Sequence, residues 1–297
     1  MDRTGSASAA PQGRYAFAAL ILANLMLAFG PWMVRLADVG PVASAFWRLS
    51  LAAPLLLLFA RRGLLGPGGP SFALLAVVAA GGLFFAADLA AWHVGIRMTK
   101  LANATLFGNS SSFLLVIYGF VVARQLPRRM QAVALACAAA GAALLLGSSY
   151  EMSPEHLAGD LFAMLAGLFY AFYLVAIDRA RRSMAPMPVL AVATVAGMLP
   201  LLLFSAMLGE KIVPTDWTPL ILLSLGSQLI GQGFLVYAVG HLSPVVVGLG
   251  LLTQPAATAV IGWFAYRESF GLADALGAVL IAAALVLIRL PARAGDG

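Results

Sequence analysis

Ionisable and amide side chains occur inside long apolar stretches of this chain. Residues 72–94 include Asp88, Trp92 and His93, and the next apolar stretch includes Asn109 and Ser112. A charged or amide group is costly in hydrocarbon, so we expect such groups to face the protein interior or water. There they can bind a polar solute, and a carboxylate or an imidazole can also carry a proton.

Comparable polar groups recur later in the chain. Residues 218–240 and 243–264 carry glutamines. Tyr170 and Tyr173 lie deep in the apolar stretch 157–177, where they can form an aromatic wall for an apolar or cationic group. We expect these stretches to enclose one cavity. The candidate substrate-binding residues are Asp88, Trp92, His93, Asn109, Ser112, Tyr170, Tyr173, Gln228, Gln232, Tyr237 and Gln254. The alternative is that the Tyr, Trp and His side chains are ordinary groups at the bilayer interface.

Arg48 and Asp88 are the charges deepest in the apolar stretches. Counting about 1.5 Å per helical residue from the nearest boundary puts both about 10 Å deep. An unpaired buried charge is very costly, so we predict that the two pair with each other. The pair would be either structural, holding two helices together, or functional, binding a zwitterion or taking up a proton.

The elements that position these groups are membrane helices. The chain is 62% apolar and 10% charged, with a mean hydropathy of +0.95, whereas soluble proteins carry roughly 25% charged residues. Crossing the hydrocarbon takes about 20 apolar residues per helix. The predicted spans are 15–34, 41–60, 72–94, 101–122, 130–147, 157–177, 187–208, 218–240, 243–264 and 270–289. The predicted fold is therefore an all-α integral membrane protein of ten helices.

Landmark residues repeat between the two halves. Pro54 corresponds to Pro200, 146 residues later, and Arg124 to Arg267, 143 residues later. We therefore predict a five-helix repeat at 15–147, an extracytoplasmic linker at 148–156 and a second repeat at 157–290. Because five is odd, the second repeat must be inverted. Inverted repeats and helices interrupted by Gly or Pro are typical of transporters that open alternately to either side.

The basic residues predict the orientation of the chain. With the N-terminus in the cytoplasm, twelve Lys and Arg lie on the cytoplasmic side, five lie outside, and Arg48 lies within a span. This bias predicts that both termini are cytoplasmic and that the protein lies in the inner (cytoplasmic) membrane. It also explains the net charge of +6 without a nucleic-acid partner. We predict that the first helix is retained, because it is too long for a secretory signal.

Several segments resemble the EamA branch of the drug/metabolite transporter superfamily. They are A-A-W-H-V-G-I-R-M-T-K-L-A-N-A-T-L (Ala90–Leu106), F-L-V-Y-A-V-G-H-L-S-P-V-V-V-G (Phe234–Gly248), Y-R-E-S-F-G-L-A-D-A-L-G-A-V-L-I (Tyr266–Ile281) and F-W-R-L-S-L-A (Phe46–Ala52). The resemblance covers residues 15–290. It implies a ten-helix transporter of small metabolites, often an exporter of amino acids or related compounds. Export of drugs or cations is the alternative within the same fold.

Other classes of function fit less well. The three histidines sit at span ends or in a loop, so Ser110–Ser112 lack a nearby base for nucleophilic catalysis. H-E-x-x-H and the phosphate-binding Walker A sequence are absent. We predict no enzyme, no cofactor and no metal, with a small solute and the lipid bilayer as partners. A solute channel is the alternative from another class of function. The sequence does not determine the oligomeric state, and it is compatible with a monomer. The small-residue faces of spans five and ten indicate a scaffold pair or a dimer contact.

Overall fold

Helices are the only regular elements in the parts of the chain that the computed structural model describes, residues 9–99, 107–147, 154–266 and 271–288. Seven helices are long and apolar enough to cross a membrane. Three shorter apolar helices lie where the sequence analysis placed spans four, five and ten. The all-α membrane class is thus confirmed, while the count of ten spans stays a prediction. The predicted start of span four (101–106), linker residues 148–153 and residues 267–270 lie outside the described residues.

The helices follow one another with short connections. They are α1 (Ala9–Ala28), α2 (Gly30–Leu36), α3 (Pro41–Leu65), α4 (Phe72–Met98), α5 (Ser110–Ala123), α6 (Arg129–Gly147), α7 (Leu157–Arg181), α8 (Pro186–Met207), α9 (Thr218–Leu223), a π-helical segment (Ser224–Gly231), α10 (Gln232–Val239), α11 (Pro244–Leu251), α12 (Thr253–Tyr266) and α13 (Leu272–Leu287). Predicted spans one, four and nine therefore each contain a break, at Phe29, Asn109 and Leu252, and span eight contains the π-helical segment.

Each interruption has a local cause or a distinct backbone geometry. Pro31 follows the break at Phe29, and a proline cannot donate the backbone hydrogen bond that would continue α1. The break at Leu252 precedes Pro255 in the same way. Residues 224–231 form wide π turns, which occur often at functional sites.

The breaks at Asn109 and Leu252 lie 143 residues apart, the same offset as the arginines noted in the sequence. The first precedes α5 and the second separates α11 from α12. Interrupted helices thus occur at matching places in the two halves.

Contacts between the two halves build the core. Helix α4 packs on α7 and α8, α3 packs on α8, and α1 packs on α10 and the π-helical segment. A second cluster of buried residues, which includes Val116, Leu249 and Ile281, joins α5, α6, α11 and α13. Each pairing takes one helix from residues 9–147 and one from residues 154–288, so neither half is a separate compact unit.

Close backbone contacts explain the small residues. A Cβ atom on Gly141 would lie 2.7 Å from the carbonyl oxygen of Gly277, and a Cβ on Gly277 would lie 2.7 Å from that of Gly141. The small faces of α6 and α13 therefore pack on each other within the chain. Of the two interpretations of this face, the structure favours the scaffold pair over a dimer contact.

Hydrogen bonds join loops from the two halves at one end of the helices, which we call the Asp38 end. The Asp38 carboxylate accepts hydrogen bonds from the Lys211 ammonium (2.6 Å), from the Thr215 backbone N–H (2.9 Å) and from the Thr215 hydroxyl. The Glu210 carboxylate accepts from the backbone N–H of Ala43 (2.8 Å) at the start of α3. These bonds connect the α2–α3 loop to the α8–α9 loop.

We expect Asp38→Asn to lower the thermal unfolding temperature at pH 7 but progressively less in acid. Lys211 and Thr215 hold the pKa of the exposed Asp38 carboxyl well below its usual value. Its stabilisation is therefore fully present above the unfolded-state pKa of about 3.9 and is lost as the pH falls below that value. Unfolding of wild type and variant in detergent from pH 7 to pH 3 measures the difference. A difference that stays constant down to pH 3 would show that the ionised carboxylate is not what holds the loops.

Candidate functional site

A cavity of about 240 Å³ lies among α2, α3, α4, α7, α10 and α12. Eight predicted site residues line it, namely Arg48, Asp88, Trp92, His93, Asn109, Tyr170, Gln232 and Gln254. They come from both halves of the chain. The cavity wall continues through Trp32 and Arg35 toward the Asp38 end.

The other four predicted residues lie elsewhere. Gln228 and Tyr173 are completely buried behind the cavity wall and contact residues that form it. Ser112 is buried in α5, and its neighbour Ser111 lines the cavity instead. Tyr237 lies on a separate apolar groove, described below, with its ring 4.4 Å from that of His241. The structure therefore does not bring Tyr237 into the cavity wall.

Arg48 is held from behind by an amide. Its Nε donates to Gln228 Oε1 (3.1 Å), and Gln228 Nε2 donates to Thr194 Oγ1 (2.9 Å). Gln228 and Thr194 are fully buried, and the Arg48 guanidinium lies 5.5 Å from the centroid of the Phe85 ring. The guanidinium is therefore fixed through Nε and by the ring, so its two Nη atoms stay available to a solute.

Asp88 differs from the pattern expected from the sequence. Among the described residues no ion pair or hydrogen bond joins Arg48 directly to Asp88, although the two charges interact electrostatically. The rotation of α3 and α4 instead directs the Nε of Arg48 to Gln228. No described residue donates a hydrogen bond to the Asp88 carboxylate, whereas Asp38, Asp178 and Glu210 each have donors. Asp88 is therefore an acceptor facing the cavity and open to a bound solute.

His93 presents a second open acceptor. Its Nδ1–H donates to the carbonyl oxygen of Leu89, so the neutral ring carries its free lone pair on Nε2. The tautomer is assigned from that bond. Nε2 is buried and has no hydrogen-bond partner among the described residues. The sequence placed His93 near the bilayer interface, but the side chain is only 3% exposed and lies in the cavity wall.

Aromatic rings form the wall between the charges and the core. The rings of Phe85 and Tyr173 stack with centroids 4.8 Å apart, and Tyr170 lies 5.7 Å from Tyr173. Tyr173 Oη donates to Gln232 Oε1 (3.2 Å), which joins α7 to α10. The result is a rigid face beside Arg48 and Asp88.

Sequence reasoning missed several cavity residues. Phe85 was not singled out, although it lies three residues before Asp88 and hence on the same helix face. Trp32 also lines the cavity, just beyond the break at Phe29. Helical spacing could have identified Phe85.

Replacing Thr194 with valine tests the support of Arg48. The change keeps the shape but leaves the buried Gln228 amide without its acceptor, which costs about 1–3 kcal/mol of unfolding free energy. We expect a clear fall in thermal stability and a higher KM for transport. Thr218→Val, at the exposed start of α9, is the matched control and should change neither. Equal stability of Thr194→Val and wild type would contradict this role for the Gln228 bridge.

Three comparisons with known proteins agree with this architecture. Residues 157–290 match the EamA-like transporter family. A protein described as an uncharacterized transporter of Archaeoglobus fulgidus is 25% identical over 261 residues, which cover 86% of this chain and 89% of the relative. A protein of known crystal structure superimposes with a TM-score of 0.75 at 18% identity, over 94% of this chain and 96% of that chain, and shares the fold.

The fold and the sequence matches define a class. The chain is a multi-pass helical membrane protein, and the family match and the archaeal relative both point to a membrane transporter rather than an enzyme. The family match itself lies in the second half of the chain, from residue 157 onward.

Proposed function

We propose that the whole chain is an EamA-type secondary transporter that moves a small organic solute, an amino acid or a related metabolite, by alternating access. The observation that carries this proposal is the cavity in which Arg48 and Asp88, from neighbouring helices, face one space beside aromatic rings. The two charges are opposite and are not neutralised by direct contact. A cavity with two separate and opposite charges suits a zwitterionic solute.

Each part of a zwitterionic amino acid has a partner in the cavity. A carboxylate would accept from the Arg48 Nη atoms, as guanidinium groups commonly bind carboxylates. The ammonium group of the solute would donate to the Asp88 carboxylate, and a further N–H of the solute would donate to His93 Nε2. An apolar side chain would lie on the Phe85 and Tyr170 rings, consistent with ligand pockets that are mostly apolar with a few placed polar groups.

The helix pairings support the proposed inverted repeat of ten spans. Spans three and six (α4, α7) pack together, and so do their repeat counterparts, span eight (α9 to α10) and span one (α1). The remaining spans pack on their own repeat counterparts. Span two packs on span seven (α3 on α8), span four on span nine (α5 on α11) and span five on span ten (α6 on α13). A pseudo-twofold axis predicts this pattern. The matching breaks at Asn109 and Leu252 support it further.

The direction of transport and the membrane follow from the resemblance and the charges. Segment W-H-V-G-I (Trp92–Ile96) is similar to a segment of YddG, the aromatic amino acid and paraquat exporter of the EamA branch. We propose export across the inner (cytoplasmic) membrane, with both termini in the cytoplasm and the Asp38 end outside, and with a monomer as the unit. The arginine-rich loops at the opposite end support this orientation.

A second candidate is export of organic cations or drugs. The observation that favours it is the Asp88 carboxylate, which accepts no hydrogen bond from a described residue, next to aromatic faces that attract cations. A solute channel is the candidate from another class. Proton antiport through Asp88 is the alternative to simple facilitation.

Counterflow in proteoliposomes distinguishes these functions. Purified protein is reconstituted with a panel of zwitterionic amino acids or organic cations inside, and uptake of labelled solute is measured with and without a pH gradient. The proposal predicts saturable counterflow for at least one amino acid with a large apolar side chain. Counterflow of cations alone would support the second candidate, and stimulation by the pH gradient would support proton coupling. Unsaturable conductance would overturn the carrier.

A further inference from the structure

A second concave surface lies outside the cavity, on the lipid-facing side of the protein. This groove of about 370 Å³ is formed by α3, the start of α8, the π-helical segment and α10. Its lining includes Phe59, Ile230 and Phe234, which are 58%, 41% and 37% exposed. Apart from Tyr237, every lining residue is apolar. The groove is therefore suited to binding a hydrocarbon chain rather than a polar solute.

The groove reaches the end of the protein opposite Asp38, which we call the Arg62 end. Phe59 lines the groove from α3, and Gly63, one turn later, packs against Pro188 in the first turn of α8. Arg62 lies three residues beyond Phe59, so the two side chains share a helix face. Arg61 and Arg62 are both exposed. Positive charge thus adjoins the mouth of the apolar groove.

These two arginines have no carboxylate partner among the described residues. The acidic side chain described at this end is Asp178, which accepts from Tyr118 (3.1 Å) and Arg182 (3.0 Å). A third arginine, Arg181, donates to the backbone carbonyl of Val236, beside the groove residue Tyr237. The local charge is therefore positive. Each basic residue near an anionic lipid surface contributes about 1 kcal/mol to binding, which for two arginines corresponds to roughly 30-fold in affinity.

We propose that this groove is a binding site for an anionic phospholipid, with one acyl chain along the groove and the phosphate group at Arg61 and Arg62. The occupant comes from the leaflet at the Arg62 end. This site is separate from the solute cavity and does not depend on the proposed transport function. Apolar lining gives contact with the chain, and the paired arginines select the negative headgroup.

The position of the groove connects the lipid to the cavity. Ile230 faces the groove from the π-helical segment, and Gln228, on the same segment, supports Arg48. A bound acyl chain packs against wide π turns that otherwise face mobile bilayer lipid. We therefore expect bound lipid to stabilise this segment as well as the whole chain.

Lipid titration of the purified full-length protein tests the site. Phosphatidylglycerol or phosphatidylcholine with identical acyl chains is added in neutral detergent, and retained lipid is counted by native mass spectrometry, with thermal unfolding as a second readout. We expect wild type to retain one phosphatidylglycerol in preference to phosphatidylcholine. Arg61→Gln with Arg62→Gln should reduce that affinity about 10- to 30-fold.

Two further variants separate the groove from general surface charge. Arg128→Gln with Arg129→Gln removes the same charge from another exposed position at the predicted cytoplasmic side and should keep the preference. Gly233→Leu fills the groove, where an added Cβ would meet only ordinary contacts at 3.6 Å and beyond, and should weaken both lipids. Equal loss in both arginine pairs, unchanged retention in Gly233→Leu, or a protein dimer that covers the groove would overturn the proposal.

Discussion

Replacing Asp88 with asparagine is expected to slow solute counterflow about 100-fold while the yield of folded protein stays at the wild-type level. The change is nearly isosteric and removes one negative charge from the cavity wall. Truncating one side of a desolvated charge pair costs about 2–5 kcal/mol of binding, and each 1.4 kcal/mol is tenfold. The carboxylate contacts no described donor, so its loss should be felt by the solute and not by the fold.

The measurement separates the functional from the structural interpretation of Asp88. Counterflow and monodisperse yield are recorded for Asp88→Asn and for Asp216→Asn, which makes the same chemical change in an exposed loop and should leave transport intact. If Asp88→Asn lost yield and kept transport per folded molecule, the residue would serve chiefly to compensate Arg48. If it transported at the wild-type rate and also folded normally, the site proposal would fail.

Replacing Gly82 with leucine is expected to prevent assembly of the helix bundle. A Cβ at this position of α4 would collide with the backbone of Ala193 in α8, and a backbone cannot move aside as a flexible side chain can. Adding volume to a packed contact costs about 1–3 kcal/mol even where side chains can adjust, so a backbone collision should cost more. Leucine is a good helix former, so helix propensity does not confound the result.

Gly226→Leu is the matched control for Gly82→Leu. An added Cβ at Gly226 meets nothing within 4 Å, so the same substitution should fold. Fluorescence size-exclusion chromatography of both variants in detergent measures the monodisperse fraction, which we expect to fall at least about tenfold for Gly82→Leu only. Similar profiles for the two variants would show that close approach of α4 and α8 does not require Gly82.

These two glycines also show how far sequence interpretation extends. Both lie inside long apolar stretches of the sequence, and nothing in the local pattern distinguishes them. The structure separates them completely, since one lies at a helix crossing and the other faces open space. A crossing depends on residues more than 100 positions away, which no local pattern contains.

The solute cavity shows the same division. Eight of the predicted residues line it, because a polar group in an apolar helix can be recognised locally and must avoid lipid. Their pairing was harder to foresee. The sequence predicted direct contact of Arg48 with Asp88 from equal depth, but depth says nothing of helix rotation, and Gln228 from the other half takes the arginine Nε.

The sequence by itself determined that this chain is a helical membrane protein, and it indicated which helices carry the polar groups. Both are consequences of transfer energies that act residue by residue along the chain. Only the tertiary structure decided that Ser111 rather than Ser112 reaches the cavity, that Tyr237 lies on a lipid-facing groove, and that Asp88 is left without a protein donor among the described residues. Those facts depend on how helices rotate and cross, which is set by contacts between distant segments.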